Sequence, residues 1–223
     1  MGTTDELLEE LQRRYNRFLI DQFYSTQRLV EVVTQTGAVS KELFQLKLST
    51  GIQANSTVKV YYDLNLFNPH YSKAYFRVKL DSAADVFAWI GFKKSFSDPA
   101  FNDVASHSAI MLYNGNLYLT TGNELGVAAG YQNTQVSGID ATKDFIFKIE
   151  KNKLSTMPLP QIIPYFDTFR IIAPDRVWTL RVTNSTSPPE DMAHYIVFFI
   201  KNSTNNNKTL TVSSFCYGEE YAD

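Results

Sequence analysis

From Phe44 onward the chain repeats one pattern, short runs in which every second residue is apolar, separated by clusters of Gly, Asn, Asp, Ser and Pro. Phe44-Leu46-Leu48 and Val58-Val60-Tyr62-Leu64-Leu66 are the first two runs. A period of two places alternate side chains on one face of an extended chain, so each run reads as a strand with one buried face. Further runs follow at 75–80, 86–92, 110–113, 117–121, 145–149, 166–172, 177–182, 195–200 and 210–215. No helical period intervenes among them. Parallel sheets need crossover connections that are usually helical, so the pattern predicts antiparallel pairing and a mainly β fold, a two-sheet sandwich of jelly-roll type over residues 38–223.

Two runs carry more detail. In Ser108-Ala-Ile-Met-Leu-Tyr-Asn-Gly-Asn-Leu-Tyr-Leu-Thr-Thr121, Asn114-Gly115 fits the type I′ turn, whose two central residues need positive φ. Strands 109–113 and 116–121 are therefore expected to pair directly. Val86-Phe-Ala-Trp-Ile-Gly-Phe92 is apolar at both parities, the mark of a central strand covered on both faces.

The first 36 residues read differently. Thr3 and Glu6 have the spacing of a capping box, and acidic residues precede Arg13, Arg14 and Arg17 as the helix dipole favours. Leu8, Leu11, Tyr15, Phe18, Leu19 and Phe23 recur at steps of three and four. Residues 1–37 are thus expected to form an amphipathic α-helical arm ending at Gly37. Its apolar stripe would dock on the chain's own sandwich or on a neighbouring subunit.

Composition narrows the function. With 223 residues, one β domain plus an appendage is the expected organisation. A net charge of −2, with Lys and Arg scattered along the chain, argues against nucleic acid as a partner. Cys216 is the only cysteine, which rules out an intrachain disulfide and a thiol-rich metal site. The acidic opening lacks the basic and apolar regions of a signal peptide, no run is long enough for a transmembrane helix, and Glu6 stands where a myristoylation motif needs a hydroxyl residue.

No catalytic or cofactor motif stands out. His70, His107 and His194 are far apart and lack metal-ligand spacing. A nucleophile elbow, a phosphate loop and a dinucleotide fingerprint are all missing. The adjacent pairs Glu190-Asp191 and Glu219-Glu220 point to opposite faces of an extended chain and do not form a glycosidase dyad. Asp98, Asn102 and Asp103 offer oxygen ligands, but their spacing fits an ordinary turn around Pro99 better than a calcium loop. The expectation is a non-enzyme that needs no cofactor or metal. Asn55, Asn184, Asn202 and Asn207 each begin a glycosylation sequon. Tyr113, Tyr118 and Tyr131, around the Asn-Gly hairpin, could stack on sugar rings or serve as cross-strand packing pairs.

The strings Ala74-Tyr-Phe-Arg-Val-Lys-Leu80, FAWIGF at 87–92, AIMLYNGNLYLTTGN at 109–123 and HYIVFFIKNSTNNNKTLTVSSFCY at 194–217 resemble the strand pattern of concanavalin-type and laminin-G-like jelly rolls. They lack the acidic catalytic strand of that family's glucanases, so the resemblance implies fold and no site residues. Chain length, Tyr/Asn/Thr-rich strands, one cysteine, the sequons and the helical arm also resemble the vertex (penton-base and turret) proteins of turreted icosahedral viruses of hyperthermophilic archaea. That resemblance implies a non-enzymatic shell component, assembled in the host cytoplasm into the virion. It would form a homo-oligomer with symmetric contacts to other virion shell proteins through the arm residues named above.

The assembly reading is the leading expectation because it accounts together for the missing chemistry and the amphipathic arm. A lectin-like carbohydrate-binding module on an extracellular surface, contacting cell-surface glycans, is the alternative. A jelly-roll glycoside hydrolase comes third.

Overall fold

The computed structural model describes residues 15–21, 29–42, 45–63, 72–105, 107–123, 130–153, 165–174, 176–183 and 195–220. They form β1 (Tyr15–Asp21), β2 (Leu29–Val33), β3 (Ala38–Glu42), β4 (Gln45–Ser49), β5 (Thr57–Asp63), β6 (Ser72–Leu80), β7 (Val86–Lys93), β8 (His107–Tyr113), β9 (Asn116–Asn123), β10 (Gly130–Val136), β11 (Phe145–Lys153), β12 (Tyr165–Ile172), β13 (Val177–Thr183), β14 (Tyr195–Asn202) and β15 (Thr209–Glu220). Every pairing is antiparallel. One sheet, here sheet A, runs β13-β12-β11-β6-β15-β4-β3, with β1 beside the far half of β15. Sheet B runs β10-β9-β8-β7-β14-β5-β2. No helix occurs among the described residues.

The alternation dictates this architecture. Val58, Val60 and Tyr62 of β5, Ala88, Ile90 and Phe92 of β7, and Ile196, Phe198 and Ile200 of β14 project inward from sheet B. They meet Leu46, Leu48, Phe76, Val78, Phe147, Phe169 and Leu210 from sheet A. Phe76 sits 6.0 Å from Phe147 and 5.8 Å edge-on from Phe198, so aromatic rings cross-link the two layers. Each such side chain contributes about 1.5–3 kcal/mol on burial. The strand periods at 75–80, 86–92, 110–113, 117–121, 145–149, 166–172, 177–182, 195–200 and 210–215 all correspond to observed strands.

The helical arm is corrected. Residues 15–21 form β1, which pairs with β15 in sheet A, and residues 29–33 form β2, which pairs with β5 in sheet B. Val30, Val32 and Val33 explain part of the difference, since β-branched residues favour a pleated strand beside β5 over a helix. Of the residues assigned to the arm's apolar stripe, Tyr15, Phe18 and Leu19 lie on β1, while Leu8, Leu11 and Phe23 fall outside the described residues. Strands β1 and β2 thus give each sheet a contribution from the segment expected to be a helical arm.

The Asn114-Gly115 corner is the type I′ turn the sequence implies, with φ of 49° and 78°. It closes the β8–β9 hairpin with Tyr113 opposite Asn116. β10, a run of mostly polar residues without clear alternation, extends that meander to the sheet edge.

Candidate functional site

The outer face of sheet B is unusually apolar for a solvent side. Register sets side chains across it in rows. One row runs Lys59, Phe199, Trp89, Met111 and Tyr118, and the next runs Lys201, Phe87 and Tyr113. Trp89, Ala109, Met111, Val197 and Phe199 form a second buried cluster there. The cover is the connection between β7 and β8, residues 94–105, which lies across the face as a strap. Its Phe96 stacks near Tyr61 and meets Tyr195 edge-on, and its Phe101 meets Tyr118 edge-on at 5.5 Å. Among the described residues, this strap covers the outer side of the doubly apolar strand β7.

Two buried lysines pin the strap down. Lys59 Nζ donates to Asp98 Oδ1 at 2.6 Å and to the Phe96 carbonyl. Lys93, 1% exposed, pairs with the Asp103 carboxylate, which also accepts the Ala105 N–H at 3.0 Å. Asn133 Nδ2 donates to the Phe101 carbonyl at 2.8 Å. His107 is buried, with Nδ1 donating to the Ala105 carbonyl at 2.6 Å and Nε2 2.8 Å from the Thr120 hydroxyl. Gly122 makes room for that imidazole, because a Cβ there would lie 2.5 Å from the ring. Asp98 and Asp103 therefore neutralise lysines. His107 is a strand-end residue with ordinary hydrogen bonds, while His70 and His194 fall outside the described residues. No cluster of metal-ligating side chains occurs among the described residues.

Where the strap reaches the end of the sheet it leaves a cleft of about 390 Å³. The row Lys201, Phe87 and Tyr113 provides one side of it, and the strap residues Pro99, Ala100 and Phe101 provide another. Phe101 lies 4.7 Å from Tyr113, and Phe87 meets Tyr113 edge-on at 6.0 Å. Asn55, Asn114 and Ser203 add polar groups from three loops, and Val86 and Asn202 complete the lining. Asn55 and Asn114 both adopt positive φ, at 63° and 49°, a conformation asparagine tolerates better than most residues. The size falls in the range of about 300–1,000 Å³ typical of small-ligand sites. Aromatic walls with amides and one cation suit a ligand that has apolar C–H faces and many hydroxyls. Among the described residues no carboxylate lines the cleft.

The three tyrosines separate. Tyr113 lines the cleft, Tyr118 backs it through Phe101, and Tyr131 stands on edge strand β10 opposite Gly122. Gly122 pairs with His107, six residues along β8 from Tyr113, which is about 20 Å of extended chain. Phe87, Phe101 and Lys201 carried no local signal as site residues, and Asn55 only that of a sequon, since they come together only through register and the strap.

The sequons also differ from one another. Asn55 is exposed at the cleft. Asn202 is fully buried, its amide donating to the carbonyls of Gly51 and Asn206 and its side-chain oxygen accepting the Ser56 N–H, so the fold shields that amide from solvent. Asn207 is exposed but accepts the Gly51 N–H at 2.8 Å. Asn184 lies outside the described residues.

No family model matches the chain, and no curated protein matches it. Solved structures do. The carbohydrate recognition domain of Emp47p superposes with a TM-score of 0.62 at 9% identity, over 94% of this chain and 98% of that one. A structure from work on endo-acting O-glycanases of the human gut microbiota gives 0.62 at 12% identity, over 91% and 99%. A Shewanella oneidensis protein of unknown function gives 0.60 at 11% identity, over 100% and 98%. At these identities the likeness shows the fold alone, a concanavalin-like jelly roll.

Proposed function

We propose that the protein is a lectin-like module that binds a glycan in the cleft between Tyr113, Phe101 and Phe87. The supporting observation is the convergence of three aromatic rings with Asn55, Asn114, Lys201 and Ser203 around one cleft that no described carboxylate lines. A sugar ring would stack on the aromatic walls while the amides, the ammonium and the hydroxyl hold its oxygens. Carbohydrate recognition by the similarly folded Emp47p domain adds to this reading, and O-glycanases of the same fold make hydrolysis the competing one. The cleft lining favours binding, because hydrolysis needs two carboxylates flanking the scissile bond.

The virion-shell reading loses its mechanism. It relied on a helical arm bridging subunits, whereas residues 15–21 and 29–33 hydrogen-bond within the sandwich. A glycan array on the wild-type chain is expected to yield a defined set of ligands, and Tyr113→Ala is expected to weaken the best of them by about 0.5–1.5 kcal/mol through loss of an aromatic face. A blank array, or a Tyr113→Ala variant that binds as the wild type does, would contradict the proposal. Release of reducing ends from a bound glycan would instead establish the hydrolase reading.

A further inference from the structure

The outer face of sheet A gathers cations that are scattered in the sequence. Lys47 and Lys79 both pair with Thr211, one from β4 and one from β6, so they flank it at about 10 Å from each other. Arg77 lies two residues along β6 from Lys79. Tyr75, Lys148 and Arg170 form a row across β6, β11 and β12, with the Lys148 ammonium 5.3 Å from the centre of the Tyr75 ring. Ile146 and Ile172 continue the row that begins at Arg77, and both are exposed. Of the carboxylates described near this face, Glu42 closes β3 and bonds Lys47, Asp144 precedes β11 and bonds Arg77, Asp81 follows β6, and Glu150 stands two residues beyond Lys148 on β11. Neither Lys79 nor Arg170 has an ion-pair partner among the described residues.

We infer that this face binds a linear acidic polysaccharide, a polyuronate or sulfated glycan, at a site separate from the rim cleft. A polyuronate carries its carboxylates one to a ring, a sulfated glycan can carry more, and both offer C–H faces between charges. The sheet offers matching alternation, with cations about 5–10 Å apart on the backbone spacing and Tyr75, Ile146 and Ile172 between them. Single-stranded nucleic acid fits less well. Its charges recur about every 3.4 Å, and the chain's net charge of −2 supplies no long-range attraction. The polar cleft of about 320 Å³ at the same face is lined by Lys79, Gln45, Thr209, Thr211 and Ser213, which provide hydroxyls and an amide for the sugar oxygens, and by Asp81 and Asp144.

Affinity electrophoresis of the full chain through gels containing polygalacturonate, dextran sulfate or neutral dextran tests the site. Retardation is expected in the two acidic polymers and not in dextran, and it should weaken as salt rises. The double variant Lys148→Glu/Arg170→Glu is expected to raise the apparent Kd about tenfold or more. Lys79→Glu should act in the same direction, with both folds checked by circular dichroism. Tyr113→Ala, which removes a wall of the rim cleft, should leave this retardation unchanged, so the two sites can fail independently. No retardation in either acidic gel, retardation insensitive to the charge reversals, or equal retention of single-stranded DNA or anionic lipid vesicles would each overturn the inference.

Discussion

The two outer faces of the sandwich solve opposite problems with the same pleat. On sheet B the outward positions of β7, β8 and β14 are Trp89, Met111, Val197 and Phe199, and the chain covers them with its own strap. On sheet A the outward positions of β6, β11 and β12 include Tyr75, Arg77, Lys79, Lys148 and Arg170, and the face stays open. Lysine itself marks the contrast. Lys59 and Lys93 are buried at the strap and need carboxylate partners, whereas Lys79 lies on the open sheet in water. A buried charge that loses its partner is costly, while an exposed one is nearly neutral to stability. Substitution at equivalent chemistry should therefore give unequal results.

The largest effect is expected at Asp103. Asp103→Ala leaves Lys93 buried without its carboxylate and should cost about 3–5 kcal/mol in chemical denaturation. Asp98→Ala should cost less, about 1 kcal/mol, because that carboxylate is 55% exposed and water can reach the ion pair from its side. An equal cost at both positions would mean that the strap is not anchored asymmetrically. Phe101→Ala is expected to lower stability by about 1–2 kcal/mol through lost contacts with Tyr113 and Tyr118, and to weaken glycan binding at the cleft, measured by calorimetry. Arg77→Ala breaks only an exposed ion pair with Asp144 and should shift stability by no more than about 0.5 kcal/mol.

The smallest effect concerns pH. The hydroxyl and N–H of Thr142 donate to Asp140 and hold its carboxyl below the ordinary carboxylate value. A lowered folded value means that the turn's contribution is complete above the unfolded carboxylate pKa and is lost as pH falls through the lowered one. Carboxyl NMR titration should find Asp140 below the range of free aspartates, and Asp140→Asn should remove that low-pH component.

Legibility in the sequence followed the locality of the cause. The alternation from Phe44 onward and the Asn114-Gly115 corner depend on neighbours in the chain, and both correspond to what the structure contains. The helical reading failed at residues 15–21 and 29–33 because charges and apolar spacing there also suit edge strands, and pairing with β15 and β5 decided the outcome. The covered face of β7 was legible in Val86-Phe-Ala-Trp-Ile-Gly-Phe92, but the identity of its cover was not. The segment 94–105 reads as a polar turn-rich loop, and only the buried Lys59 and Lys93 reveal it as a strap. The cleft was half legible. Tyr113 was visible beside the hairpin, whereas Phe87, Phe101, Asn55 and Lys201 reach it from positions up to 146 residues apart. The cationic face was hidden in the same way, since Lys47, Arg77, Lys148 and Arg170 become neighbours only through sheet register.

The central claim is that the rim cleft binds a sugar. Titrating the isotopically labelled full chain with the strongest ligand from the glycan array, and following backbone amide shifts, tests it most directly. The account predicts saturable shifts concentrated at Phe87, Phe101, Tyr113, Asn114, Lys201 and Ser203, absent in Tyr113→Ala. Shifts centred elsewhere in the molecule, or none at millimolar ligand, would contradict it.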